Sequence, residues 1–250
     1  MTIINMIKRV DEKELNSFKL TIVLENIKSG YWKEKIEKLR TCVKNNEIAN
    51  TEEIKKSLPA FTISATFKDV RKKENIESYT SLIHLDYDKV IDVEKIKEKA
   101  SEVPFTYCSF ISPSGNGLKI IIKTDSKLEN HTEVFNAVRD YYDNILDTKS
   151  DKSIKDVTRL CFVSYDPELY LNNDSEVFTY SNFKNNPNSF LPDLDWIWSL
   201  NSKKIDFNKL ESNEGFRIVI NASGDNKINI LKDLLDAFSE HEEISTIKFS

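Results

Sequence analysis

Residues 82–88 read Leu-Ile-His-Leu-Asp-Tyr-Asp, and this stretch organises the reading of the whole chain. Apolar Ile83, Leu85 and Tyr87 alternate with His84, Asp86 and Asp88, the period-two signature of a β-strand over 80–88. Successive side chains of a strand point to opposite faces, so the apolar three face a core and the acids face the other way. Asp86 and Asp88 then share a face, roughly 6–7 Å apart at their Cα atoms. Two like charges at that spacing invite a hard divalent cation, which takes such oxygen ligands. The plainer alternative is a strand end with a solvated polar face. His84 lies on the same face and reads as a neighbour of the acids or an exposed side chain rather than a ligand.

Working outward, residues 92–101 read as a helix, and 105–111 and 118–123 as strands flanking a Ser/Gly-rich turn. Residues 131–146 form a helix with Val134, Val138, Tyr141, Tyr142 and Ile145 inward, and 159–165 a further strand. Upstream, 12–29 and 33–45 read as helices, with Gly30 as a C-cap between them. Pro59 stops any helix there, and Phe61, Ile63, Ala65 and Phe67 alternate as in one half-buried strand. A basic loop of Lys68, Arg71, Lys72 and Lys73 follows. The order is that of an α+β protein with a main domain over 1–182. A polar, proline-containing linker spans 183–193, and a small α/β unit follows over 194–250.

Two further segments carry candidate chemistry. The run Ser112-Pro113-Ser114-Gly115-Asn116-Gly117-Leu118-Lys119 holds two of the chain's five glycines. A turn of this kind exposes successive backbone N–H groups that, with a lysine, can hold phosphate oxygens. It also suits a tight hairpin, and it is not a Walker A loop, which the chain lacks. The second segment runs from Asp151 to Arg159, where a carboxylate and an arginine lead into an apolar strand. That pair reads as a structural ion pair or as a metal ligand beside a phosphate contact. Aromatic residues near basic ones (Tyr31 and Trp32 by Lys33, Phe67 by Lys68) could stack on bases, although core packing is their commoner use.

Composition removes several classes. The 250 residues are 39% hydrophobic and 31% charged, which suits a folded chain with a charged surface rather than a disordered one. No run of about 18 uncharged apolar residues offers a membrane span. The first residues lack the apolar core of a signal peptide, so a cytoplasmic, membrane-free protein is expected. Cys42, Cys108 and Cys161 are odd in number and widely spaced, which supports neither a disulfide framework nor a zinc ribbon. The net charge of −5 argues against coating nucleic acid by bulk charge, while leaving room for a local basic groove.

Taken in order, these segments resemble the archaeo-eukaryotic primase superfamily. Ile83-His84-Leu85-Asp86-Tyr87-Asp88 resembles its acid-bearing strand, the 112–119 run its glycine-rich turn, and Asp151, Ile154 and Arg159 its later acid, apolar residue and arginine. More closely, the chain resembles the primase-type domain at the N-terminus of virulence-associated-E-like proteins of bacterial mobile elements. That likeness spans roughly residues 15–175 and includes 58–67 and the phrase from Asp156 to Pro167. It implies a core related to the RNA-recognition-motif fold, with a small C-terminal unit beside it. It also implies template-directed nucleotidyl transfer on single-stranded DNA, using nucleoside triphosphates and Mg²⁺ or Mn²⁺. Asp86, Asp88 and Asp151 would hold the metals, with Asp156 the alternative third acid. Ser112, Ser114, Gly115, Gly117, Lys119 and Arg159 would grip the triphosphate. Any helicase working beside it would be a separate chain, since no Walker A motif is present. The superfamily's Ser-X-His stands here as Gly117-Leu118-Lys119, which keeps open a catalytically silent module that binds nucleic acid or nucleotide. A metal-dependent nuclease is the third reading.

Overall fold

The computed structural model describes residues 2–185, which belong to one compact unit. The expected unit over 194–250 and most of the expected linker lie outside the described residues. The architecture is mixed α+β with antiparallel sheets. In chain order the strands and helices are β1 (Ile3–Ile7), β2 (Asn16–Lys19), α1 (Leu20–Ser29), α2 (Lys33–Lys44), α3 (Ile48–Lys56), β3 (Ala60–Thr62), β4 (Ala65–Phe67), β5 (Ile76–Tyr79), β6 (Leu82–Tyr87), α4 (Val93–Glu102), β7 (Thr106–Ile111), β8 (Leu118–Lys123), α5 (His131–Leu146), β9 (Leu160–Phe162), β10 (Tyr170–Leu171) and α6 (Tyr180–Asn185). Helix α6 takes in the first residues of the expected linker. Among the described residues no helix is long and apolar enough to cross a membrane.

One sheet has the order β10-β7-β8-β6 and the other β2-β1-β3-β9, while β4 and β5 form a separate hairpin. In the first sheet Leu85 faces Ile120 and Ile83 faces Ile122 across β6 and β8. These side chains join Val134, Val138 and Tyr142 of α5 and Ala100 of α4 in one core. Full burial of each such aliphatic side chain is worth about 1.5–3 kcal/mol. Asp92 starts α4, its carboxylate accepting the Lys95 amide at 3.1 Å. Helix α5 covers 131–146 as its apolar spacing predicts.

The opposite face of the same sheet is also covered. Leu82, Cys108, Phe110 and Ile121 pack against Phe61, Cys161, Ile4 and helix α1 in a second core. The face that carries His84 and Asp86 is therefore largely covered by the second sheet and α1 rather than an open polar surface.

Two expectations are corrected. Residues 12–29 are not one helix: 16–19 pair with β1, Phe18 opposite Ile4, before α1 begins. Residues 60–67 are not one half-buried strand. Every residue there is buried, and the chain changes partners midway, Thr62 pairing with Leu160 and Ala65 with Tyr79. At the break, Ser64 Oγ donates to the Leu82 carbonyl at 2.8 Å, and Thr80 Oγ1 donates to that of Ile63 at 2.6 Å. Helix α3 buries no residue and so carries no apolar stripe from which a sequence could announce it.

Candidate functional site

The acid-bearing strand β6 lies at the edge of its sheet, with Asp86 directly opposite Lys119 of β8. Cross-strand partners share a face, so both side chains enter the cleft. Lys119 Nζ donates to Asp86 Oδ2 at 2.5 Å, with the side chains 5% and 18% exposed. Burial disfavours the charge on each. Lys119, with help from Lys55, more than offsets that for Asp86 and holds its pKa below the usual carboxylate value. In return Asp86 raises the Lys119 pKa despite burial. Sequence reading missed Lys55. It lies in the last turn of α3, over the Phe162 ring at 5.8 Å, and nothing in its local sequence points toward Asp86.

The second oxygen, Asp86 Oδ1, is buried without a hydrogen-bond partner. His84 is 4% exposed, not a surface side chain, and its Nε2 is likewise buried and unpartnered. Burial, aided by Lys119, lowers its pKa to about 3, so the ring is neutral. Unsatisfied buried acceptors are costly, about 1–3 kcal/mol, and call for an explanation.

Asp88 follows the strand's last residue and is exposed. Asp151 arrives from a distant segment. Its backbone N–H donates to the Asp86 carbonyl at 2.8 Å, which sets the two acids side by side on the free edge of β6. The Asp151 carboxylate accepts from Ser153 N at 2.8 Å and Ser153 Oγ at 2.7 Å. Arg159 Nη2 lies 3.8 Å from Asp151 Oδ2. Asp156, the alternative acid, instead accepts the Thr158 amide at 2.9 Å and faces Lys73 at 3.5 Å.

The glycine turn sits at the same end of the sheet. The Ser112 N–H donates to the Gly117 carbonyl at 2.7 Å and the Gly115 N–H to that of Ser112 at 3.0 Å, so two of its amides are used internally. Gly115 has φ 83°, and a Cβ at Gly117 would stand 2.5 Å from the Tyr87 carbonyl oxygen. Only glycine permits that approach to the end of β6. Arg40 of α2 braces the turn from below, donating to the carbonyls of Ser112 at 3.2 Å and Tyr165 at 2.9 Å. Ser112 and Gly117 are buried, which leaves Ser114, Gly115 and Asn116 as the accessible part. Lys119, expected at a phosphate, is spent on Asp86 within the cleft.

Of the aromatics beside basic residues, Phe67 packs with Ala65 and Val157 in a core, whereas Tyr31 is exposed. Among the described residues no three His, Cys, Asp or Glu side chains are grouped closely enough to enclose a metal ion. Mg²⁺ does not require such a cage, since it is commonly held by one or two carboxylates with the rest of its shell from water and phosphate. A buried, unpartnered Asp86 Oδ1 with an exposed Asp88 and an adjoining Asp151 fits that mode of binding.

Residues 53–171 match a family model described as BT4734-like, N-terminal domain. The match encloses Asp86, Asp88, the 112–119 run, Asp151 and Arg159. No curated protein and no solved structure matches the chain.

Proposed function

We propose that the cleft at the end of β6 is a nucleotidyl-transfer site of the primase-polymerase type, acting with nucleoside triphosphates on single-stranded DNA. The observation that carries this reading is Asp86: an ionised carboxylate with one oxygen on Lys119, the other unpartnered, and Asp151 hydrogen-bonded to its own carbonyl. The order of motifs shared with the archaeo-eukaryotic primase superfamily supports it, as does the α+β architecture. Asp86, Asp88 and Asp151 would hold Mg²⁺ or Mn²⁺. When bound, the metal lowers the pKa of an attacking hydroxyl and neutralises charge on the leaving pyrophosphate. Lys119 keeps Asp86 ionised where burial opposes its charge, a positioning role in place of a direct phosphate contact. Ser114, Gly115 and Asn116 present the accessible part of a rigid turn to the triphosphate. Arg159, exposed beside Asp151, would pair with a phosphate oxygen.

The Asp86–Lys119 bond favours one second reading, a silent module that binds nucleotide or nucleic acid without transfer. The test is incorporation of labelled nucleotide on a single-stranded template with Mn²⁺ or Mg²⁺, comparing the chain with Asp86→Asn/Asp88→Asn. Incorporation should fall about 100-fold or more in the variant. Equal incorporation refutes the assignment, and nucleotide binding without incorporation in both proteins favours the silent module.

A further inference from the structure

The connection of hairpin β4–β5, residues 68–75, holds four basic residues (Lys68, Arg71, Lys72 and Lys73) against two acids (Asp69 and Glu74) in a chain whose net charge is −5. The loop is braced from within. The Lys68 N–H donates to the Asn75 carbonyl at 2.8 Å, that of Val70 to Lys68 at 2.7 Å and that of Lys72 to Val70 at 2.9 Å. It is also docked: Arg71 Nη1 donates to the Thr158 carbonyl at 2.5 Å, and Lys73 faces Asp156 at 3.5 Å. Thr158 precedes Arg159, which faces Asp151, whose amide rests on Asp86. The basic loop is thus joined to the acids by an unbroken series of contacts.

Docking brings like charges together. The 3-10 turn Lys152–Lys155 belongs to the same segment, and Lys152, Lys155 and Arg159 are all exposed. Lys68 and Lys72 are exposed as well. Lys68, Lys72, Lys152 and Lys155 make no ion pair among the described residues. These exposed cations stand on two docked segments of an acidic protein, an arrangement that attracts an extended polyanion. Phe67 is buried, so this edge has no aromatic platform from the loop and would recognise backbone charge rather than bases.

We propose that loop 68–73 and the 3-10 turn form a phosphate track that carries a single-stranded nucleic acid to Asp86 and Asp151. The proposal deepens the nucleotidyl-transfer reading and rests on it for where the strand leads, but the track itself can be measured without nucleotide or metal. Binding of a dye-labelled oligothymidylate by the full chain is followed by fluorescence anisotropy in EDTA at several salt concentrations. Lys68→Ala/Lys72→Ala removes two charges and leaves the Arg71 and Lys73 contacts intact. Lys95→Ala/Lys99→Ala is the matched control, on the helix that packs against the other face of the sheet.

Each single-strand phosphate contact contributes about 0.7 to the slope of log affinity against log salt, so the loop variant should lose about 1.4 in slope. At about 0.1 M salt that corresponds to roughly 25-fold weaker binding. The control should keep the parent slope, and Lys152→Ala/Lys155→Ala should repeat the loss. No oligonucleotide binding by the parent chain, equal effects in loop variant and control, or tighter binding of duplex than of single strand would each overturn the track. The two readings separate cleanly. Charge-dependent binding without nucleotide incorporation leaves the track standing and removes the enzyme, whereas incorporation with an unchanged slope in the loop variant does the reverse.

Discussion

Replacing Lys119 by methionine keeps most of the side chain's volume and removes the ammonium that sits 2.5 Å from Asp86. Breaking a buried pair by removing one partner strands the other charge, at a cost of about 3–5 kcal/mol. The native value is set by burial, which opposes ionisation, and by Lys119, which outweighs it. Without Lys119, burial dominates and the Asp86 pKa rises above its ordinary value of 3.8. The sign of the pH dependence then inverts. In the parent, the depressed Asp86 pKa contributes stability above about pH 4 that is lost as pH falls further. In Lys119→Met, a raised pKa gives a contribution that is complete in acid and lost as pH rises through the new value. The stability gap between the two proteins therefore widens from acid toward neutral pH, by about 1.4 kcal/mol for each unit that separates the two Asp86 pKa values.

Urea unfolding followed by circular dichroism at about pH 4.5 and 7.5 measures this, in a cycle of Asp86→Asn, Lys119→Met and the double substitution. Each single change leaves one buried charge alone, whereas the double change leaves none. The double should recover most of the loss, with a coupling energy of about 3 kcal/mol at neutral pH. Additivity within about 0.5 kcal/mol, or a gap between parent and Lys119→Met that is the same at both pH values, would refute the reasoning.

Gly117→Ala should cost about 1–3 kcal/mol, because its Cβ would stand 2.5 Å from the Tyr87 carbonyl oxygen and 2.9 Å from Ser112 Oγ. Exposed Asn116→Ala is the control in the same unfolding assay, and equal stability of the two variants would contradict the close approach. His131 is buried with Nδ1 2.8 Å from Tyr79 Oη, and burial lowers its pKa from 6.5 to about 4. The unfolded chain takes up that proton first as pH falls, so stability should drop by about 1.4 kcal/mol per pH unit between 6.5 and 4 on this account alone. His84 adds a similar slope, so His131→Gln should roughly halve the acid sensitivity, and an unchanged slope would show that His131 titrates normally.

The strand 82–87 and the helix 131–146 are legible in the sequence because each has a clean period and a one-sided core. The acid face of β6 is not. Its cover comes from β1, β3, β9 and α1, whose pairings join residues tens to more than a hundred positions apart. Alternation within one strand reports only that two faces differ, so His84 reads as exposed when Ile121 opposite and the second sheet bury it. The split of 60–67 hides for the same reason. Thr62 and Ser64 imitate the polar half of an alternating strand, but both are buried, with partners in Asn5 and Leu82. Asp151 reads as a candidate from its spacing to Arg159, whereas its hydrogen bond to the Asp86 backbone exists only in three dimensions. Lys55 and Arg40 carry no local signal, since each acts on a segment far along the chain.

The choice of residues in the cleft bears on whether it is built for stability or for chemistry. A buried ion pair is weak evidence for stability, because well-packed apolar residues of similar volume commonly do as well or better. Here the surroundings would suit such residues: Ile121, Phe110, Phe61 and Cys161 pack in the core that the acid face adjoins. What an apolar pair cannot do is present an ionised acceptor. Asp86 keeps one oxygen free at a strand end where Asp88 and Asp151 also stand, and where the backbone approaches so closely that only glycine is accommodated at 117. A scaffold optimised for stability alone would satisfy or remove that oxygen. Its place beside a lysine that keeps it charged is a physical observation in support of the cation site proposed above.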